Sequence, residues 1–166
     1  MAAIKKYEND EILLIGHSMG SIISYDVLTF LLPEVNIHTF VTIGSPLGFP
    51  VIQGKIASEW NSKKLVPAKL KTPPGVVKHW YNFADLKDKV ALIYQLNKNY
   101  QANWRGVTPE DFVVFNDYHN EIEANHHKSF GYLRAKEFSK VLHTFAKKQH
   151  FHSKVFAKIS SLLKKH

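Results

Sequence analysis

The sequence predicts an α/β protein with a mostly parallel sheet and flanking helices. Three observations in the first fifty residues carry that prediction. An apolar run, Glu11-Ile12-Leu13-Leu14-Ile15, ends at Gly16 and reads as a buried parallel strand. Residues 19–32 then place Ile22, Ile23, Val27, Leu28, Phe30 and Leu31 at roughly helical spacing, and Pro33 stands where a helix would stop. His38-Thr39-Phe40-Val41-Thr42-Ile43-Gly44 is rich in β-branched residues and reads as a second strand, broken by Ser45-Pro46. Strand, helix and strand in that order form a βαβ unit, and hence a parallel pair.

The rest of the chain is less regular. Ile52 to Trp60 reads as a short helix, and Pro67, Pro73, Pro74 and Gly75 mark loops. His79 to Phe83 reads as a third strand ending at Ala84-Asp85. Val90 to Leu96 reads as a short helix, Phe112 to Phe115 as a fourth strand, and Phe130 to Phe145 as an amphipathic helix.

Composition sets the outer bounds. A chain of 166 residues fits one domain with a real core. Its 13% aromatic content is not that of a disordered chain. With no cysteine, thiolate nucleophiles, disulfides and cysteine-held zinc are excluded. No run of about 18 apolar residues suggests a membrane span, and the N-terminus has no signal-peptide core, so a cytoplasmic location is expected.

The net charge of +8 is unevenly spread. Residues 147–166 hold six lysines and no acid, which leaves +2 for residues 1–146. The chain therefore divides into a domain over 1–146 and a basic C-terminal helix or tail over 147–166. In the tail, Phe151, Val155, Ile159 and Leu162 recur at helical spacing among the lysines. This allows peripheral contact with an anionic membrane, although packing on the core is the commoner use of such a face. Nucleic-acid binding is not expected, because no aromatic platform accompanies the charge.

The chemistry concentrates at Gly16-His17-Ser18-Met19-Gly20, a G-x-S-x-G pattern with an apolar strand before it and a helix after it. In a tight strand-to-helix turn the hydroxyl of Ser18 stands out at the carboxyl end of the sheet. Gly16 and Gly20 leave room for neighbouring backbone, and the helix N-terminus favours developing negative charge. A nucleophilic serine needs a base, and the base needs an acid to orient it. In chain order the acid comes next, and Asp85 and Asp88 both follow the third strand; spacing alone does not separate them. The base candidates are His119, His126 and His127, with the last two directly before the final helix. Their spacing matches no zinc pattern, so neither metal nor cofactor is expected.

Four segments, in order, resemble an α/β-hydrolase of the lipase/esterase type, from its nucleophile elbow onward. Residues 12–21 resemble the elbow, 41–48 the following strand with its Gly-Ser-Pro, 80–91 the acid loop and 127–133 the histidine segment. The match spans residues 11–145. The resemblance implies Ser18 as nucleophile, Asp88 as acid, His127 as base and the Met19 amide as one oxyanion donor, with Asp85 the alternative acid. Lys89 stands where the family usually has proline.

The implied activity is hydrolysis of carboxylic esters, of small molecules or lipids. In residues 47–66, Leu47, Phe49, Val51, Ile52, Ile56, Trp60 and Leu65 suit an acyl pocket or lid, or more simply a helix packed on the sheet. The family's strands before the elbow have no counterpart here, nor has the loop giving its second oxyanion amide, and losing one such donor costs about 10²–10³ in rate. Weak or absent turnover by this chain is therefore expected. The nucleophile strand is also expected to form an apolar sheet edge. A homo-oligomer or a separate N-terminal half are the partners this suggests. The alternative function is a non-catalytic hydrolase-like interaction module, or one subunit of a split hydrolase.

Overall fold

The computed structural model describes residue 7, residue 10 and residues 10–62 and 69–147. The tail helix expected beyond Lys147, and Leu65, lie outside the described residues. The chain is α/β. Strands β1 (Leu13–His17), β2 (Ile37–Ile43), β4 (Val76–Ala84) and β6 (Pro109–Val113) form a four-stranded sheet in the order β1-β2-β4-β6. All three pairings are parallel. Two short strands, β3 (Leu70–Lys71) and β5 (Tyr100–Gln101), pair separately.

Helix α1 (Met19–Asp26) runs on into one wide helical turn (Val27–Leu31), so the apolar periodicity of residues 19–32 is a continuous helical segment. Helix α2 (Pro50–Ser62) follows β2 after a short turn over Pro46–Gly48. Helix α3 (Ser129–Arg134) and helix α4 (136–147) close the described chain.

Alternation along the strands sends side chains to two cores. Phe40 of β2 and Trp80 of β4 join Tyr25, Leu28, Leu47, Ile56 and Tyr100 on one face. Val41, Ile43 and Phe83 join Tyr132 and Phe138 on the other. Leu47, Ile52, Ile56 and Trp60 therefore pack on the sheet as a helix face, not as an acyl pocket. Val51 alone among the apolar α2 positions is strongly exposed, at 65%.

The structure departs from the sequence reading at several places. Strand β1 is half-exposed, with only Gly16 buried, because it stands at one edge of the described sheet with β2 as its single neighbour. The helix expected over 90–96 is a set of turns with a short helical turn at Leu96–Lys98. Side chains have captured its backbone: Asp111 Oδ1 accepts the Leu96 N–H and Asp111 Oδ2 the Asn97 N–H, while the Asn82 amide donates to the Tyr94 carbonyl at 2.8 Å. The fourth strand begins at Pro109 rather than Phe112, a position an edge strand gives proline readily. The final helix is broken at Ala135, whose backbone is extended (ψ 138°).

Candidate active site

The strand-to-helix turn after β1 has an unusual backbone. Ser18 has φ 54° and ψ −129° and is the only non-glycine residue with positive φ among those described. A side chain there costs of order 1–3 kcal/mol, which the surroundings must hold in place. Three contacts do so. The Ser18 N–H donates to the Ile43 carbonyl at the end of β2. The Ser18 carbonyl accepts from the Ser21 hydroxyl at 2.6 Å, and the Ser21 and Ser45 hydroxyls meet at 2.7 Å. Ser18 is thereby sewn to the loop after β2.

The two glycines of the elbow differ. A β-carbon on Gly16 would stand 2.8 Å from the Ser21 α-carbon, so close approach requires glycine there. A β-carbon on Gly20 meets nothing within 4 Å of the described residues, so the room expected at Gly20 is not used.

The loop after β4 brings Asp88 inward. It is 1% exposed although its neighbours Lys87 and Lys89 are exposed. Its Oδ1 accepts the Val90 N–H at 2.9 Å, and its carbonyl accepts the Ala91 N–H, so the loop closes on itself without a proline at position 89. The aspartate thus caps a turn and not the helix expected near Val90.

Ser18, His127 and Asp88 form one hydrogen-bonded chain. His127 Nδ1 lies 2.9 and 3.1 Å from the two Asp88 oxygens. Both are acceptors, so Nδ1 carries a proton. In the neutral ring Nε2 is then the acceptor, and it lies 2.9 Å from Ser18 Oγ, 109 residues away in sequence. The serine proton has a place to go, and the imidazolium that results faces a buried carboxylate. The adjoining Met19 N–H is the first of α1 and has no acceptor within its own helix.

His17 completes the surroundings. Its ring centroid is 4.8 Å from that of His127, and its Nε2–H donates to the His127 carbonyl at 2.8 Å. Burial holds the His17 pKa below its ordinary value of 6.5; the carbonyl contact opposes this more weakly. His17 therefore favours the neutral form next to a ring that would gain charge.

The other candidates stand apart from this chain. Asp85 is also buried, but its Oδ2 accepts the Asn116 N–H at 2.6 Å and faces His126 Nδ1 at 3.3 Å. His119 is exposed, with Nδ1 near the Asp117 carbonyl. Among the described residues no group of histidines and acids is arranged to hold a metal.

Two residues to which the sequence reading gave no role shape the site. Asn116 donates to the His126 and Lys128 carbonyls at 2.8 and 2.9 Å, gripping the backbone on both sides of His127. Asn82, in the middle of β4, accepts from Thr42, and its amide donates to Asp111 as well as to Tyr94, which ties down the loop leaving the Asp88 turn. Asn82 lies in the Trp-x-Asn portion of the acid segment, so spacing alone had already marked it. Asn116 follows an ordinary strand and carries no such mark.

A cavity of about 400 Å³ lies elsewhere, between the sheet and α4, lined by His79, Tyr81, Phe112, Val141 and Phe145 among others, and by none of Ser18, Asp88 or His127. No helix among the described residues is long and apolar enough to cross a membrane. Compared with protein-family models, curated proteins and solved structures, the chain matches none.

Proposed function

We propose that the chain is a serine hydrolase of carboxylic esters, of the α/β-hydrolase type, acting through Ser18, His127 and Asp88. The observation that carries this reading is the hydrogen-bonded series from Ser18 Oγ through His127 to Asp88, presented from three loops at the carboxyl ends of parallel strands. Ligands of open α/β sheets bind at that end.

In the proposed reaction Ser18 Oγ attacks the acyl carbonyl while His127 Nε2 takes its proton. The carbonyl oxygen gains charge facing the Met19 N–H. Collapse breaks the ester bond, and His127 returns the proton to the departing alcohol. Water, deprotonated by the same nitrogen, then frees the acid and restores Ser18. Asp88 holds the ring in the required tautomer and faces the imidazolium.

Apolar side chains near each member favour an ester with an apolar acyl part. Met19 is 70% exposed beside Ser18, Leu86 58% and Leu92 54% on either side of Asp88, and Phe130 56% just after His127. The test is reaction of the full chain with a fluorophosphonate probe. The expected result is covalent labelling of Ser18, lost in Ser18→Ala and strongly reduced in His127→Ala. A folded sample that takes up no label overturns the proposal. It would instead favour a non-catalytic interaction module, a reading supported by the exposed edge strand β1, where Ile15 is 38% exposed.

A further inference from the structure

Tyr132, in the middle of α3, has no exposed surface, yet its hydroxyl makes two polar contacts. It accepts the backbone N–H of Asp85 at 3.0 Å and donates to Asp88 Oδ2 at 2.7 Å. The second contact is to the same carboxylate oxygen that lies 2.9 Å from His127 Nδ1. Tyr132 follows His127 by five residues, so one short helix delivers both the imidazole and the phenol to a single oxygen.

We propose that Tyr132 is a positioning residue of the Ser18 site, which fixes the Asp88 carboxylate and sets how strongly it draws a proton onto His127. The inference rests on the ester-hydrolase reading of that site. The argument is one of competition. Three donors converge on Asp88: the Val90 N–H on Oδ1, the phenol on Oδ2, and His127 Nδ1–H across both. Each hydrogen bond to a carboxylate offsets part of its charge. With the phenol present, less of that charge acts on His127, and the ring is less easily protonated. A base that stays neutral can accept the serine proton.

Position follows from the same two contacts. The phenol bridges the backbone at Asp85 and the side chain at Asp88, so it spans the turn carrying the acid and limits rotation of its carboxylate. The phenol is also a dependable donor. Burial raises its pKa well above the ordinary tyrosine range, and donation to Asp88 raises it further. The other groups facing His127 are His17 at the end of β1, Asp88 after β4 and Lys128 on its own loop.

The experiment uses the full chain as wild type, as Tyr132→Phe, and with 3-fluorotyrosine inserted at position 132 alone. Two quantities are read. One is the protonation midpoint of the His127 ring by NMR, which needs no catalysis; the other is the pH profile of fluorophosphonate labelling. In folded Tyr132→Phe the His127 midpoint is expected to move up by about half a pH unit or more, because one donor has left the carboxylate. The acid limb of labelling moves with it, and labelling near neutral pH falls about tenfold. The fluorinated phenol is a stronger donor and moves the midpoint down, which keeps the test sound if Tyr132→Phe does not fold.

An unmoved midpoint in folded Tyr132→Phe, or a shift of the same sign in both variants, overturns the proposal. Should wild type show no labelling at any pH while the midpoints shift as described, the ester-hydrolase reading fails and the phenol's control of His127 stands.

Discussion

A β-carbon at Gly131 would fall 1.6 Å from Oδ1 of Asn116. Asn116 has no freedom to yield. Its amide holds the His126 and Lys128 carbonyls, its Oδ1 accepts the Tyr118 N–H, and its own N–H is bound to Asp85. Gly131→Ala must therefore displace either α3 or the loop bearing His127. A stability loss of about 1–3 kcal/mol is expected from such overpacking, with a fall in Ser18 labelling larger than the loss of folded protein accounts for. Chemical denaturation alongside labelling rates checks both.

The backbone at Ser18 gives a second prediction, in which a side-chain loss stabilises. Glycine adopts positive φ without penalty, whereas alanine keeps the strain of serine. Ser18→Gly is expected to be more stable than Ser18→Ala by about 1 kcal/mol, after the greater unfolded-state freedom of glycine is offset. Equal melting midpoints for the two would show that the turn is relaxed.

Asp85 and Asp88 are expected to part company when each is changed to asparagine. Asp88→Asn presents an amide to His127 Nδ1 and favours the wrong tautomer, a change that costs about 10⁴ in the equivalent serine–histidine systems. Asp85→Asn loses carboxylate acceptors of the Lys87 and Asn116 N–H groups. It should cost mainly stability and leave labelling within about tenfold of wild type. Comparison of the two labelling rates in folded samples decides the assignment.

His17 links stability to pH. Its folded pKa lies below the unfolded value near 6.5, so in the window between them the unfolded chain binds more protons. Stability from this group is present above about pH 6.5, falls as the pH drops through that window, and falls no further below the folded value. His17→Gln should flatten that part of the stability curve. Urea denaturation midpoints between pH 7 and pH 5 measure it, and an unchanged slope contradicts the prediction.

The parts of the fold legible in the sequence were those built by local pattern. The apolar run ending at Gly16, the spacing of Ile22 to Leu31 and the β-branched stretch to Ile43 each state their structure within a few residues, and they set the elbow on the sheet. Less was legible where distant side chains decide. Residues 90–96 have helical composition, but Asn82 and Asp111 bind their backbone from two strands. The break at Ala135 is similar. Gly131 and Tyr132 are fixed against Asn116 and the aspartate turn, while Phe138 packs on Phe83, and one straight helix does not serve both. Spacing alone left Asp85 and Asp88 equal. In space they differ, because each meets a different histidine of the pair at 126 and 127.

The reach of 109 residues between Ser18 and its imidazole partner has a kinetic consequence. Contacts between distant parts of a chain form slowly, since a large loop must close before anything rewards it. The Ser18–His127 contact further depends on β2 and β4 being in register, because the ends of those strands carry the loops that hold it. Reactive serine is therefore among the last properties the refolding chain acquires. A probe that reads only Ser18 would clock completion of the sheet, well after fluorescence from Trp80 has reported burial of the first core.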